Sequence, residues 1–108
     1  MTRDETIAIF DRVVARCEGI ERKGKTMPYT SDNGHMFSQV NKDGELGIRL
    51  PPAEGKAFMA EHDAGPFLSY GARMRDYVFI PEALMGDEDL LAKLLQQGHA
   101  YVLSLPPK

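Results

Sequence analysis

Two turn signals ending in glycine constrain the fold of this chain more than any other feature. Asp32-Asn33-Gly34 and Lys42-Asp43-Gly44 lie ten residues apart, with β-compatible residues on either side of each. Asn-Gly and Asp-Gly pairs readily supply the positive φ angles of tight hairpins. The spacing therefore predicts a three-stranded antiparallel meander with strands near 25–30, 35–41 and 45–50.

Helical patterns lie on both sides of this meander. Apolar residues recur at three- and four-residue spacing from Ile7 to Cys17, and Thr2 with Glu5 fits a capping box at the start. Pro51-Pro52 opens a second, short helix. The longest helix follows Asp87, and Gly98 within it predicts either a close packing contact or a break.

Two further strands are predicted between the second and third helices. PFLSYG and RDYVFIP have strand-like composition and are joined around Gly71 to Arg75. Tyr77 and Phe79 point one way while Val78 and Ile80 point the other, so both faces of the last strand are apolar. The order α-β-β-β-α-β-β-α predicts one α+β domain over residues 1–108, with helices packed on an antiparallel sheet.

The predicted strands carry more apolar surface than one helix-covered face can bury. A second layer of helices does not fit in 108 residues. Pairing of two copies is the simplest way to cover such a surplus, because most homo-oligomers are symmetric dimers. We therefore expect a homodimer that covers part of this surplus, which is made up of Phe37, Val40, Phe67, Leu68, Tyr77, Val78, Phe79 and Ile80.

Charge and composition exclude several classes of protein. Thirteen Lys and Arg against sixteen Asp and Glu give a net charge of -3, which argues against direct nucleic-acid binding. No apolar run is long enough to cross a membrane, and the N-terminus does not have the pattern of a signal peptide. Cys17 is the only cysteine, so an intrachain disulfide is excluded. These features predict a cytoplasmic protein.

No catalytic, cofactor-binding or metal-binding residues are predicted. The polar cluster Ser31-Asp32-Asn33-Gly34-His35 is interpreted as a turn, because the other two histidines lie in separate helical segments. Arg73-Met74-Arg75 places two guanidinium groups where they can share one face of a strand or loop. The alternative hypothesis is a small-molecule binder or minor enzyme with a cleft near Arg73, Arg75 and His35.

Short motifs in a fixed order carry a resemblance to a known family. They are Lys25-Thr26-Met27, Gly34 with Met36-Phe37, Leu46 to Leu50, Tyr70-Gly71, Tyr77-Val78-Phe79-Ile80-Pro81, and an acidic-then-leucine helix that ends near Tyr101. In this order and spacing, over nearly the whole chain, the sequence resembles the N-terminal domain of the TfoX/Sxy family. It departs from the family where Pro28-Tyr29-Thr30-Ser31 follow Met27 in place of the usual Gly-Gly.

The resemblance implies a two-layer α-β(3)-α-β(2)-α fold, similar to type III secretion chaperones, which commonly dimerise. Longer family members include regulators of natural competence, and their second, C-terminal domain is not part of residues 1–108. The family has no recognised catalytic residues. The resemblance thus implies a non-enzymatic protein that acts through protein-protein contact, as a regulatory adaptor related to competence and transcription regulators, with itself or a heterologous protein as partner.

The predicted homodimer is tested by molar mass in solution. Light scattering behind a sizing column, over a range of concentrations, is expected to give a stable mass near twice 12.0 kDa. A mass near 12.0 kDa at every concentration would contradict the dimer.

Overall fold

The computed structural model describes residues 1–108 and contains three α-helices and one five-stranded antiparallel sheet. The helices are α1 (Arg3–Ala15), α2 (Pro52–His62) and α3 (Glu88–Ser104), and a 3-10 turn at Glu82–Leu84 precedes α3. The strands are β1 (Tyr29–Asp32), β2 (His35–Val40), β3 (Leu46–Arg49), β4 (Pro66–Ser69) and β5 (Ala72–Phe79), arranged in the order β1-β2-β3-β5-β4. The predicted α+β class and element order are confirmed.

Side-chain caps fix where the two longer helices begin. The Thr2 hydroxyl accepts from the backbone N–H of Glu5, whose carboxylate accepts from the backbone N–H of Thr2, so the predicted capping box is present. The Asp87 carboxylate accepts from the backbone N–H of Leu90 at the start of α3. Each cap satisfies backbone donors that a helix N-terminus leaves free. None of the helices combines the length and apolar composition needed to cross a lipid bilayer.

Two predicted strand boundaries are wrong. β1 begins at Tyr29 rather than at residue 25, because Tyr29 exchanges both backbone hydrogen bonds with Lys23 and residues 24–28 form the loop between them. β4 and β5 are joined by Tyr70-Gly71 alone, with φ angles of 54° and 74°. A tyrosine seldom adopts positive φ, so the sequence did not mark this two-residue turn and a longer connection was predicted.

A bulge in β2 directs Phe37 towards α3. Thr30 pairs with Ser38 and Ser31 pairs with Met36, which leaves Phe37 without a partner in β1. Such a bulge re-aims the extra side chain. Phe37 joins residues of all three helices in the core, whose least exposed large members are Phe10, Phe37, Ile48, Leu50, Ile80, Leu91 and Leu95.

Gly98 allows α3 to lie directly on the sheet. A Cβ at this position would be 2.5 Å from the carbonyl oxygen of Arg49 and within 3.6 Å of the Ile48 and Phe37 side chains. Gly98 is helical and buried, so the helix continues through it. The predicted close packing contact is confirmed, and a break is not present.

The opposite face of the sheet is covered by the β4–β5 hairpin. Pro66 pairs with Val78 and Leu68 pairs with Arg73, so residues 74–77 of β5 oppose Phe67 alone. This large bulge, with Asp76 at a φ of 66°, bends the hairpin back over the sheet.

Two contacts hold the bent hairpin in place. The Phe67 ring stacks on Tyr77 at 5.9 Å between centroids and covers Gly47, where any Cβ would overlap it. The Asn41 side-chain amide also donates to the carbonyl oxygen of Leu68 at 2.9 Å.

The single chain buries most of the apolar surplus that motivated the homodimer. Of the eight residues of that surplus, Phe79 is half-buried, only Leu68 is exposed and six are buried. Four of the six belong to the core beneath the helices (Phe37, Val40, Val78 and Ile80), and the hairpin accounts for Phe67 and Tyr77. The assumption that only one face of the sheet is covered was wrong, because a folded-back hairpin takes the role of a second layer. The homodimer itself stays a prediction.

Both edges of the sheet are partly closed. The outer backbone groups of Tyr29 in β1 bond to Lys23, and the carbonyl of Leu68 in β4 bonds to Asn41. Free strand edges invite pairing with other chains. These contacts disfavour dimerisation by joining the sheets of two copies edge to edge.

The close approach at Gly98 predicts the effect of a substitution there. Gly98→Ala is expected to destabilise the chain by roughly 1–3 kcal/mol, because the overlap with the Arg49 carbonyl outweighs the better helix propensity of alanine. Urea unfolding followed by circular dichroism measures the change. The control is Ala100→Gly at an exposed position of α3, expected to cost about 1 kcal/mol from propensity alone. Stabilisation by Gly98→Ala would contradict the packing.

Candidate functional site

The polar cluster between β1 and β2 forms a tight turn, as predicted. β1 ends at Asp32, β2 begins at His35, and the two residues between them, Asn33 and Gly34, have φ angles of 56° and 80°. Positive φ at both central positions is the geometry that Asn-Gly favours in a two-residue hairpin.

The same turn fastens the C-terminal end of α3, which the sequence did not predict. The Asn33 side-chain amide donates to the carbonyl oxygens of Val102 and Leu105 at 3.0 and 2.9 Å. The His35 Nε2 lies 2.9 Å from the carbonyl oxygen of Pro106. The Val102 carbonyl also accepts from the backbone N–H of Leu105, whereas the carbonyls of Leu105 and Pro106 lie beyond the last turn and receive these side-chain donors instead of water.

Asp32 and His99 form an ion-pair geometry that also joins the turn to α3. The His99 Nε2 lies 2.8 Å from Asp32 Oδ2, and the imidazole stacks on Phe37 at 5.1 Å between ring centroids. The hydrogen bond from His99, followed by that from the backbone N–H of Asn33, holds the pKa of Asp32 below its usual value. Neither Asp32 nor His99 lines a cavity of the chain. Their placement is that of a structural pair.

Two other titratable groups, the Cys17 thiol and the Tyr77 hydroxyl, are buried in the interior of the chain. Burial raises the pKa of the Cys17 thiol and of the Tyr77 hydroxyl, which keeps both groups protonated and poorly nucleophilic at neutral pH. The Cys17 thiol faces the carbonyl oxygens of Val13 and Ala92 inside the core. No three His, Cys, Asp or Glu side chains lie close enough together to hold a metal ion.

The structure does not bring His35, Arg73 and Arg75 together. His35 is bonded to the C-terminal segment, whereas both arginines lie in β5 with exposed side chains. Arg73 lines a shallow cleft against α2, but neither His35 nor Arg75 contributes to that cleft or to any other cavity. The cleft of the alternative hypothesis is therefore not formed by these three residues.

The outer side of the β4–β5 hairpin combines exposed apolar and cationic side chains. Leu68 pairs with Arg73 across the hairpin, so their side chains share one face. Arg75 is also exposed and lies two residues further along β5, within the bulge. Tyr70 stands at the tip. Leu68 is 52% exposed and Tyr70 is 76% exposed, the highest value among the large hydrophobic residues. We call Leu68, Tyr70, Arg73 and Arg75 the arginine face.

Arg73 and Arg75 differ from every other arginine of the chain. Neither takes part in a hydrogen bond or ion pair, although the sequence has an excess of acidic residues. The other five all have partners within the chain: Arg12 with Glu88, Arg16 with Asp89, Arg22 with Asp11, Arg49 with Asp76, and Arg3 with backbone carbonyls. The two unpaired guanidinium groups thus belong to exposed residues that are two positions apart on the β4–β5 hairpin.

A cleft between α2 and β5 continues the arginine face. Arg73 forms part of its lining, together with a second cation, Lys56, one carboxylate, Asp76, and the apolar Met59. The Asp76 carboxylate is 3.8 Å from Arg49, so part of its charge is already compensated. The cleft therefore offers a small apolar surface bordered by cations.

Comparisons with protein-family models, with curated proteins and with solved structures find no match for this chain. The TfoX/Sxy resemblance stays a prediction.

The Asp32–His99 pair predicts how stability depends on pH. Because the pKa of Asp32 is lower in the folded chain than in the unfolded chain, its carboxylate favours folding above about pH 4. That contribution is lost as the pH falls through the folded value. Asp32→Asn is expected to lower stability at pH 7 and to flatten the fall in stability below about pH 4, as measured by urea unfolding at a series of pH values.

The control for this measurement is Asp43→Asn. Asp43 lies in the second turn, its side chain makes no hydrogen bond, and asparagine suits the same turn. This variant is expected to follow the pH profile of the parent. An unchanged profile for Asp32→Asn would show that the His99 contact does not stabilise the fold.

Proposed function

We propose that this chain is a non-enzymatic adaptor domain that acts through protein-protein contact, and that the arginine face is its contact surface. The observation that carries the proposal is the position of Tyr70 and Leu68, two strongly exposed hydrophobic residues next to two arginines without partners. Tyrosine and arginine are enriched among the residues that supply most of the energy of protein interfaces.

The rigidity of the hairpin supports this role. Phe67 anchors its inner side against Gly47, and Asn41 bonds to the backbone of Leu68. A contact surface that is already ordered loses less conformational entropy when a partner binds. The outer residues of the hairpin are thus presented on a fixed support.

The structural roles of the polar turn and of the buried Cys17 and Tyr77 support a non-enzymatic role. Asp32, Asn33 and His35 are occupied in fastening α3, and the buried Cys17 and Tyr77 hold their protons. General acid-base and nucleophilic catalysis both need a reactive group within hydrogen-bond reach of a second group, beside space for a substrate. An adaptor needs only a complementary surface.

The proposed biological setting is that of a cytoplasmic regulatory adaptor related to TfoX/Sxy proteins. The element order agrees with the one that the resemblance implies, and the single reduced cysteine is compatible with the cytoplasm. The homodimer remains part of this proposal on the strength of the resemblance. Its interface would lie outside the arginine face, because pairing two copies through that face would bring like charges together.

Site-specific photocrosslinking in cells that make the protein tests the proposal. Replacing Tyr70 by the photoreactive analogue p-benzoylphenylalanine is expected to give a discrete crosslinked product after irradiation. Leu103 is the control, because it is an exposed hydrophobic residue of α3 that lies outside the arginine face.

The mass of the product decides the outcome. A heterologous product from position 70, absent from position 103, supports an adaptor that uses the arginine face. A product of twice 12.0 kDa would assign that face to a second copy of the chain. No product from position 70, or the same products from both positions, would contradict the proposal.

A further inference from the structure

We infer that the arginine face binds an acidic segment of a partner protein, in which Asp or Glu residues flank an exposed apolar side chain. The inference rests on the proposed function and adds the chemistry of the partner. Three observations carry it: the unpaired arginines, the apolar residues between and beside them, and the charge of the chain as a whole.

The two arginines specify the sign and geometry of the partner's charge. Arg73 and Arg75 are exposed and make no side-chain hydrogen bond or ion pair, although the chain has sixteen acidic residues. A guanidinium group presents a planar set of donors that fits a carboxylate with two parallel hydrogen bonds. Two such groups on exposed residues only two positions apart suit two carboxylates of one acidic segment.

The apolar residues of the arginine face indicate that the acidic segment also carries an apolar side chain. Leu68 lies opposite Arg73, Tyr70 stands at the tip, and the cleft lined by Met59 begins at Arg73 on the other side. A purely acidic peptide would leave this surface exposed to water. A segment with an apolar side chain among its acids covers it and gains the hydrophobic contribution of the buried area.

Electrostatics disfavours a second copy of this chain as the occupant. Two-fold symmetric pairing through the arginine face would bring the Arg73 and Arg75 side chains of both copies together. Like charges placed opposite each other in an interface are repulsive. The contact therefore calls for a different surface, one of negative charge.

The overall charge disfavours a nucleic acid. Proteins that follow a phosphate backbone neutralise many phosphates and usually carry a basic surface. This chain has a net charge of -3, and its face offers two arginines bordered by Leu68 and the Asp76 carboxylate. Two arginines are enough to pair with two carboxylates of a protein partner, whereas neutralising a nucleic-acid backbone takes many more cations.

Selection from an unbiased peptide library tests the inference. The full chain is immobilised and presented with phage that display random short peptides. The peptides retained are expected to be enriched in Asp and Glu next to Leu, Phe, Tyr or Trp. Synthetic copies of the retained peptides, labelled with fluorescein, are then titrated with the chain and its variants by fluorescence polarisation.

Two charge-reversed variants separate the arginine face from general electrostatics. Arg73→Glu with Arg75→Glu is expected to weaken peptide binding by about tenfold or more. Lys25→Glu with Lys93→Glu reverses two other exposed, unpaired cations and is expected to change binding by less than about twofold. Both variants have the same net charge, and circular dichroism checks that each is folded.

The outcomes distinguish this inference from the proposed function. Retained peptides that depend on Tyr70 but lack acidic residues would overturn the acidic partner and leave the contact surface intact. An absence of peptides whose binding depends on the arginine face would also overturn it, and the proposed function would then depend on the crosslinking result at position 70. Binding of a single-stranded oligonucleotide that Arg73→Glu with Arg75→Glu abolishes would assign the face to nucleic acid instead.

Discussion

The contact between the Phe67 ring and Gly47 is the one on which the shape of this protein depends. It holds the β4–β5 hairpin against the face of the sheet that no helix covers, and the bend at Asp76 makes that position reachable. Apolar side chains of β5 point to both faces of the sheet, and both faces are buried within this single chain. The helices cover one face of the sheet, and the β4–β5 hairpin at the edge of the sheet folds over the other face.

Folding the hairpin inward also decides what it presents outward. Because strand side chains alternate, burial of Phe67 turns Leu68 away from the sheet, and pairing places Arg73 beside it. The exposed apolar side chains and the two free arginines are therefore products of the same bend that completes the core. An apolar and cationic surface of this kind is suited to binding a partner, because it is already ordered in the folded chain and loses little conformational entropy on binding.

At the other end of the sheet, the polar turn illustrates how functional-looking residues serve structure. Asp32, Asn33 and His35 reach α3 and its following segment, and Gly98 lets that helix lie against the backbone of β3. An acid, an amide and an imidazole together resemble a reactive site, but their partners are a histidine and backbone carbonyls. The hydrogen-bonding capacity of the cluster is consumed in holding a helix end.

Local signals in the sequence determined the helix caps, the Asn33-Gly34 turn, the order of the elements and the close contact at Gly98, because each depends on residues a few positions apart or on one backbone requirement. The tertiary structure alone decided the fold-back of β4, the two-residue turn at Tyr70 and the hydrogen bond from Asn33 to Val102, whose residues are 69 positions apart.

The arginine face also depends on the tertiary structure. The sequence pattern allowed Arg73 and Arg75 to share a face of a strand or loop. Which apolar residues lie near them, and that both lack partners, depends on the tertiary structure of the hairpin. Contacts between residues far apart in the sequence produce no periodic sequence pattern, and they form only when the whole core is assembled.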